Sequence, residues 1–409
     1  MLEIKQAVIL AGGRGIRLAP LTDNLPKPMV DVNGSPFILH LIKKLKTQGV
    51  SDVIILTGYL GDLIEQYFAK NPIPEISIVC VRGPNDWDTG QRIIEARKFL
   101  NETFLLLYSD NYIDLKLDAL IDSHTKSSKL FTMCVVNKSP GNLIVDKNAQ
   151  AVKYLTKRGE EKADLVEIGF SIMDREELCK NIINNELSLP KAYASIVRSN
   201  MVHTFNIPTF YLSISDFDRL VITRENLKAK KIILLDRDGV INVKAQKGQY
   251  VSNLRDFKRI EVNWLALENL SKRGFEFIII TNQAGIARGM IKNNDLEEIH
   301  KNLICEFESR GISLLSIYVC PHHWDENCEC RKPKAGMFFE AARDFKLQLS
   351  EILYIGDDER DEEAATLAGC RFILISQNSK TKTPEGNMQF ENLDLASPCI
   401  LELYDFPSK

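Results

Sequence analysis

Lys231-Ile-Ile-Leu-Leu-Asp236-Arg-Asp238-Gly239-Val-Ile-Asn242 decides how this 409-residue chain is read. An unbroken apolar run meets two carboxylates spaced i, i+2, and then a glycine. The pattern predicts a buried parallel strand that delivers polar groups at its C-terminal end. Ligands of open α/β sheets bind at such ends. Two acids so placed suit a hard cation such as Mg²⁺ and a substrate that carries phosphate.

Downstream, the same logic recurs. Residues 261–272 have the spacing of an amphipathic helix that ends at Gly274. Phe275-Glu-Phe-Ile-Ile-Ile280 reads as the next strand, and it delivers Thr281-Asn282-Gln283. A hydroxyl and an amide at a strand tip are neutral donors for phosphate oxygens. Arg331-Lys332-Pro333 follows in a loop. Ile352-Leu-Tyr-Ile355 then delivers Gly356-Asp357-Asp358-Glu-Arg-Asp361, ahead of a helix at 362–368. Any one of these is an ordinary capped turn; four in order are not.

Asp-x-Asp-Gly, a strand-end Thr, a Lys and Gly-Asp-x-x-x-Asp, spread over residues 231–380, resemble the motifs of the haloacid dehalogenase superfamily. The resemblance implies that Asp236 is a nucleophile forming an aspartyl-phosphate. Asp238 would be acid to the leaving alcohol and then base for the hydrolysing water. Mg²⁺ would be held by Asp236, the main-chain carbonyl of Asp238, and Asp357. Thr281 and Lys332 would neutralise the phosphoryl group in transfer. Asp361 is expected to orient Lys332 or the metal's waters, and Asp358 to be a solvated neighbour. No insertion long enough for a cap domain separates the motifs, so specificity falls to loops. Asn282 and Arg288 are the expected substrate contacts, with Arg331 for a second phosphate.

Cys320-Pro-His322-His323-Trp-Asp-Glu-Asn-Cys328-Glu-Cys330 places three thiols and an imidazole within eleven residues. That matches the Cys₃His tetrahedral zinc class, and a loop this short and polar has no core of its own. Cys320, His322, Cys328 and Cys330 are the expected ligands of a structural Zn²⁺, with His323 the competing imidazole. A redox pair is disfavoured, since no Cys-x-x-Cys occurs. The loop runs straight into Arg331-Lys332, so zinc would steady the phosphate-binding lysine. Asp-Arg-Asp-Gly-Val-Ile-Asn, Thr-Asn-Gln-Ala-Gly-Ile-Ala-Arg-Gly and the Cys/His loop together resemble the D-glycero-D-manno-heptose 1,7-bisphosphate phosphatases. Histidinol-phosphate phosphatases share much of the pattern.

The first half carries a second phosphate-handling stretch. An apolar strand at 6–11 runs into Gly12-Gly13-Arg14-Gly15-Ile-Arg17-Leu, and Pro26-Lys27-Pro28-Met29 follows. Glycines at 12, 13 and 15 let main-chain N–H groups turn toward an anion, and Arg14, Arg17 and Lys27 add charge. The run fits neither the dinucleotide fingerprint nor the P-loop. Helical spacing at 36–48 ends at Gly49, a strand begins at Asp52, a helix lies near 61–69, and an apolar strand at 104–111 ends in Asp110. Strands alternating with helices predict a parallel, doubly wound sheet.

Leu-Ala-Gly-Gly-Arg-Gly-Ile-Arg-Leu followed by Pro-Lys-Pro-Met resembles the signature of sugar-1-phosphate nucleotidyltransferases, over residues 6–220. The resemblance implies Mg²⁺ on Asp110, Arg17 on the nucleotide phosphates, Lys27 on the sugar phosphate, and sugar contacts at Lys157 and Glu167. It also exposes two departures. The loop near the base reads Trp87-Asp-Thr-Gly-Gln-Arg92. Ser213 stands where the family carries a second metal-facing acid, which leaves Asp216 or Asp218 as substitutes.

Length alone predicts two domains, and 44% hydrophobic with 26% charged residues is the balance of a globular protein. A net charge of −3 and no basic stripe argue against nucleic acid as a partner. No apolar run reaches the ~20 residues of a membrane helix, and the start leads directly into a strand, so the cytoplasm is the default. A homo-oligomer is left open. The expected fold class is α/β with two doubly wound, Rossmann-like domains, the second bearing a zinc loop. The boundaries are 1–222 for the nucleotidyltransferase-type domain, 223–230 for a short helical connector, and 231–409 for the phosphatase-type domain. Phosphosugar and nucleoside triphosphate are the expected substrates of a bifunctional enzyme. The alternative is a phosphatase whose first domain only binds a nucleotide sugar or oligomerises.

Overall fold

Ile232–Leu235 is a strand with all four residues buried, and it lies inside a six-stranded sheet. The computed structural model describes residues 2–159, 161–246, 248–376 and 388–405. Two units divide between Lys228 and Ala229. The helix Phe217–Asn226 belongs to the first and runs past residue 222.

In the first unit, Ser77–Arg82, Asp52–Thr57, Gln6–Ala11 and Thr103–Tyr108 lie side by side and parallel. Side chains alternate between the two faces. Ile9, Ile55 and Leu107 enter one core, while Val8, Ile54 and Leu106 enter the other. The sheet is not parallel throughout, as strand–helix alternation predicts. Leu165–Asp174 pairs antiparallel with Thr103–Tyr108, because the chain reaches it from the Leu143–Val145/Ala151–Tyr154 pair and not through a crossover helix. Helix Phe37–Thr47 buries Phe37, Leu41 and Leu45 on one stripe, and Gly49 follows it at φ 83°.

The second unit is parallel in every pairing. From Ile232–Leu235 the chain steps outward to Glu276–Asn282 and Ser313–Cys320. It then returns to the other side with Leu353–Gly356, Arg371–Ile375 and Met388–Phe390. Reversal of strand order beside Ile232–Leu235 opens a crevice at its C-terminal end. Helix Leu393–Asp405 closes the unit, with Leu393, Ala396 and Ile400 buried and the Leu393 N–H donating to Asn263 Oδ1 at 2.8 Å. That gives the motif-free tail a place in the core; residues 377–387 and 406–409 lie outside the described residues. No helix among the described residues is long and apolar enough to cross a membrane.

Candidate active sites and metal centre

A cavity of about 740 Å³ opens at the crevice, and Asp236, Asp238, Thr281, Arg288, Lys332 and Asp357 are among its walls. Lys332 is only 3% exposed. Its ammonium donates to Asp236 Oδ1 at 2.5 Å, Tyr354 Oη at 2.7 Å and the Ile280 carbonyl at 3.0 Å, with Asp361 Oδ1 at 2.7 Å. Asp361 thus orients the lysine, and it also accepts from the Asp357 N–H at 3.1 Å. Asp358 caps the helix Glu359–Ala368 by accepting from the Arg360 N–H.

Asp236, Asp357 and Asp361 bring carboxylate oxygens within 4.8 Å of one another. Burial pushes the Asp236 carboxyl up; the Lys332 charge opposes this, and the charges of Asp361 and Asp357 add to it. Asp357 is likewise pushed up to about 6, by burial first, against the charge of Lys244. Three hard oxygen donors repelling one another in a buried place are a donor set that fits Mg²⁺. Gly239 makes the approach possible: it holds φ 101°, and a Cβ there would come within 2.3 Å of Asp357 Oδ2.

The Asp238 carboxylate is outside that group. Arg237, fully buried, donates to both of its oxygens at 3.0 and 2.8 Å, and Asn242 and Gln283 add bonds of 2.8 and 2.9 Å. Burial would raise its pKa, but the Arg237 charge and these hydrogen bonds together hold it below the usual carboxylate range. Behind Arg237 stands His300, with Nε2 3.3 Å from Nη1. Sequence reasoning passed over Arg237 and Gln283 although both stand inside quoted motifs; a cation locked between two acids was the available signal.

Asn282 lines the same cavity and also grips Lys332. Its amide donates to the Lys332 carbonyl at 3.0 Å and accepts from the Lys332 N–H at 3.1 Å. A side-chain amide matches a main-chain N–H and C=O pair, so Asn282 holds the lysine's backbone through one of its two amide N–H groups. Thr281 lies at the strand tip, its Oγ1 accepting from Gln283 at 2.9 Å. Arg288 donates to Tyr250 Oη at 3.1 Å and stands over the rings of Tyr250 and Trp324. Arg331 lines the same cavity, with Nη1 buried and unpartnered among the described residues.

Cys320, His322, Cys328 and Cys330 gather in the loop that leads into Arg331 and Lys332. Their contacting atoms stand 3.6 Å apart for Cys320–His322, 3.7 Å for Cys320–Cys328, 3.5 Å for Cys328–Cys330 and 3.1 Å for His322–Cys330. Ligands on tetrahedral zinc, with Zn–S of about 2.3 Å, stand nearly as far apart, so the residues fit the ion. His323 is spent elsewhere: its N–H donates to Glu326 and its Nδ1 accepts from the Asp325 N–H, capping a short 3₁₀ turn.

In the first unit the glycine loop and Asp110 face one region. Lys27 pairs with Asp110. Gly15, at φ 66°, lets the loop pass where a Cβ would lie 2.8 Å from the Lys27 Cβ. A cavity of about 280 Å³ is lined by Arg17, Tyr108, Asp110, Arg158, Glu167 and Arg219 among others. Lys157 is exposed and absent from that lining; its neighbour Arg158 stands there. Arg14 lies over the Tyr59 ring, and Gly13 is exposed at the loop's tip. Arg92 is buried under the loop and donates to the carbonyls of Thr57 at 2.8 Å and Pro84 at 2.7 Å. A Cβ on Gly12 would strike it.

Ser213 and Ser215 form a hydroxyl chain, 3.3 Å between them, and Ser215 donates to Asp110 Oδ2 at 3.4 Å. Asp216 caps the helix Phe217–Asn226 and Asp218 is exposed; neither is among the residues lining that cavity. One carboxylate with triphosphate oxygens is still a reasonable donor set for Mg²⁺, which commonly takes one or two carboxylates plus phosphate.

Glu167 is 4% exposed. Burial pushes its carboxyl up to about 7, against bonds from Gly169 and Tyr108 and the charge of Arg158. The native state therefore keeps a proton that the unfolded chain has lost above its ordinary value of 4.5, and stability falls as pH rises toward 7. Glu167→Gln should remove that slope and gain about 2 kcal/mol on wild type between acid and neutral pH. Urea unfolding at pH 5 and pH 8 checks it; an equal difference at both would refute the reading.

A nucleotidyl transferase family model matches residues 6–143, and a polynucleotide kinase 3 phosphatase model matches residues 231–393. Fold and site define a nucleotidyltransferase domain followed by a haloacid-dehalogenase-type phosphatase domain. The chain is 33% identical to the D-glycero-beta-D-manno-heptose-1,7-bisphosphate 7-phosphatase of Haemophilus ducreyi, over 43% of this chain and 98% of that protein. It is 37% identical to the D-glycero-alpha-D-manno-heptose-1,7-bisphosphate 7-phosphatase of Campylobacter jejuni, over 40% and 91%. A crystal structure of the D,D-heptose 1,7-bisphosphate phosphatase from B. bronchiseptica, complexed with magnesium and phosphate, shares 31% identity over 42% of this chain and 98% of that one, with a TM-score of 0.39. Through its second unit, the chain belongs to the family of heptose-1,7-bisphosphate 7-phosphatases.

Proposed function

We propose that the second unit removes the 7-phosphate of a D-glycero-D-manno-heptose 1,7-bisphosphate, and that the first joins the resulting 1-phosphate to a nucleotide. The observation that carries the phosphatase half is the Asp236–Lys332 contact of 2.5 Å at the strand-order reversal. An Asp236 oxygen attacks phosphorus, the bond from phosphorus to the C7 oxygen breaks, and Asp238 gives that oxygen its proton. Water then attacks phosphorus and passes a proton to Asp238, while the bond to Asp236 breaks and phosphate leaves. The lowered pKa of Asp238 favours the ionised form that this second step needs. In the first step, a dianionic phosphate close by works against ionisation and helps retain the proton. Mg²⁺, when bound by Asp236, Asp357 and the Asp238 carbonyl, supplies charge that keeps the nucleophile ionised.

In the first unit, an oxygen of the sugar 1-phosphate attacks the nucleotide α-phosphorus and pyrophosphate leaves. Arg17 and Lys27 neutralise charge, Glu167 meets sugar hydroxyls, and no protein nucleophile takes part. Purified protein with Mg²⁺, the heptose bisphosphate and each of four triphosphates should release phosphate and then pyrophosphate. Asp110→Asn should abolish pyrophosphate release and leave phosphate release intact. Phosphate without pyrophosphate for every triphosphate favours the second reading, a phosphatase with a non-catalytic first domain, which Ser213 motivates. Faster hydrolysis of histidinol phosphate than of the heptose bisphosphate would reassign the substrate.

A further inference from the structure

Lys244 stands on a stretch of chain, 243–246, that is neither strand nor helix and borders the phosphatase cavity. Its ammonium lies 2.9 and 2.8 Å from the two oxygens of Asp357 and 3.3 Å from Asp358. No step of the hydrolysis uses it. Yet Asp357 belongs to the group of three carboxylates suited to a divalent cation, and Lys244 engages both of its oxygens. An ammonium and a divalent cation repel each other on one carboxylate, the more so where water is scarce.

The two side chains are unequally held. Asp357 is 14% exposed and Lys244 45%. Asp357 is fixed in the turn after its strand and packed against Gly239, whereas the lysine is a flexible stem on a loop. The lysine is therefore the group that moves, and its tether keeps it in the cavity. Other cations there are committed: Arg360 to Asp358, Arg288 to Tyr250, and Lys332 to Asp236 and Asp361.

We propose that Lys244 is a tethered counter-ion, holding Asp357 until Mg²⁺ displaces it and then pairing with the second phosphate of a bisphosphorylated substrate. This rests on the phosphatase reading above. Arg331 lines the same cavity and gives that phosphate a second cation. Metal and substrate are then linked. A second phosphate draws Lys244 off Asp357 and so tightens the metal, and the metal tightens the substrate by the same factor. A monophosphate gains nothing from the exchange.

Full-length protein carrying Asp110→Asn, so that calorimetry reports the phosphatase site, should be titrated with Mg²⁺ alone. Adding Lys244→Met or Lys244→Gln should tighten metal binding by on the order of tenfold, and Lys244→Arg should leave it near the parent value. In the same proteins, the preference in kcat/KM for heptose 1,7-bisphosphate over heptose 7-phosphate should fall by a similar factor with Met or Gln and persist with Arg. Unchanged or weaker metal binding in Lys244→Met overturns the proposal. Tighter metal with unchanged preference overturns its substrate half. If the parent hydrolyses neither heptose, the phosphatase reading fails, while the Mg²⁺ titration still reports on Lys244.

Discussion

Asp236→Asn is expected to cut phosphate release from the heptose bisphosphate by about 10⁴-fold or more while leaving pyrophosphate release from a supplied sugar 1-phosphate at the wild-type rate. The amide keeps the shape of the carboxylate, and its oxygen can still accept from Lys332, so the buried network around Tyr354 and Asp361 survives. What is lost is the anionic oxygen that forms the bond to phosphorus. Thermal unfolding should show the fold intact, which separates this loss from misfolding. Since burial and neighbouring acids already push Asp236 toward its neutral form, the substitution also relieves repulsion at the site, and a small gain in melting temperature is the expected sign. Separate steady-state assays of phosphate and pyrophosphate check the prediction. Residual phosphatase activity above about one percent of wild type would mean that water attacks the substrate directly and that Asp236 only binds metal.

If Cys320, His322, Cys328 and Cys330 hold zinc, its removal is expected to lower phosphatase activity by on the order of 10–100-fold, with pyrophosphate release unaffected. Cys330 is followed directly by Arg331 and Lys332. The loop is held at its far side by the Gly336 N–H donating to the Glu329 carbonyl at 3.1 Å, and Asn282 grips the Lys332 main chain. With the thiolates released, the Lys332 main chain keeps Asn282 but loses the anchored turn before it, while its ammonium must stay within hydrogen-bonding reach of the nucleophile. Cys330→Ser and dialysis against a strong chelator should agree, with zinc content followed by elemental analysis and loop cleavage by limited proteolysis. Full activity in protein free of zinc would remove the link between the metal and Lys332. Because the same loop carries Trp324 to the ring stack on Arg288, KM should rise as well as kcat fall.

Much of both sites was legible because the signals are local. A run of apolar residues ending in acids is a strand tip wherever it occurs, and the Ile232–Leu235 and Leu353–Gly356 strands deliver Asp236 and Asp357 as that pattern predicts. Cysteine spacing is similarly self-contained. The antiparallel entry of Leu165–Asp174 was not legible, since nothing within a strand states the direction of its neighbour. Nor was it legible that Arg158 lines the cavity of the first unit and its neighbour Lys157 does not, two adjacent cations that differ in which way the loop turns them.

From its sequence alone, then, this protein was two α/β units with an acid-bearing strand tip in each and a zinc-type loop in the second. Only the tertiary structure decided how those groups are used. It brought His322 and not His323 among the three thiols, tied Asn282 to Lys332, and closed Arg237, Asn242 and Gln283 around Asp238. It also brought Lys244 onto Asp357, across 113 residues of chain. The physical reason is range. Periodicity and spacing record what a residue does within its own strand or turn, whereas a contact such as Gln283 to Asp238, 45 residues apart, exists only because two strands lie side by side in one sheet.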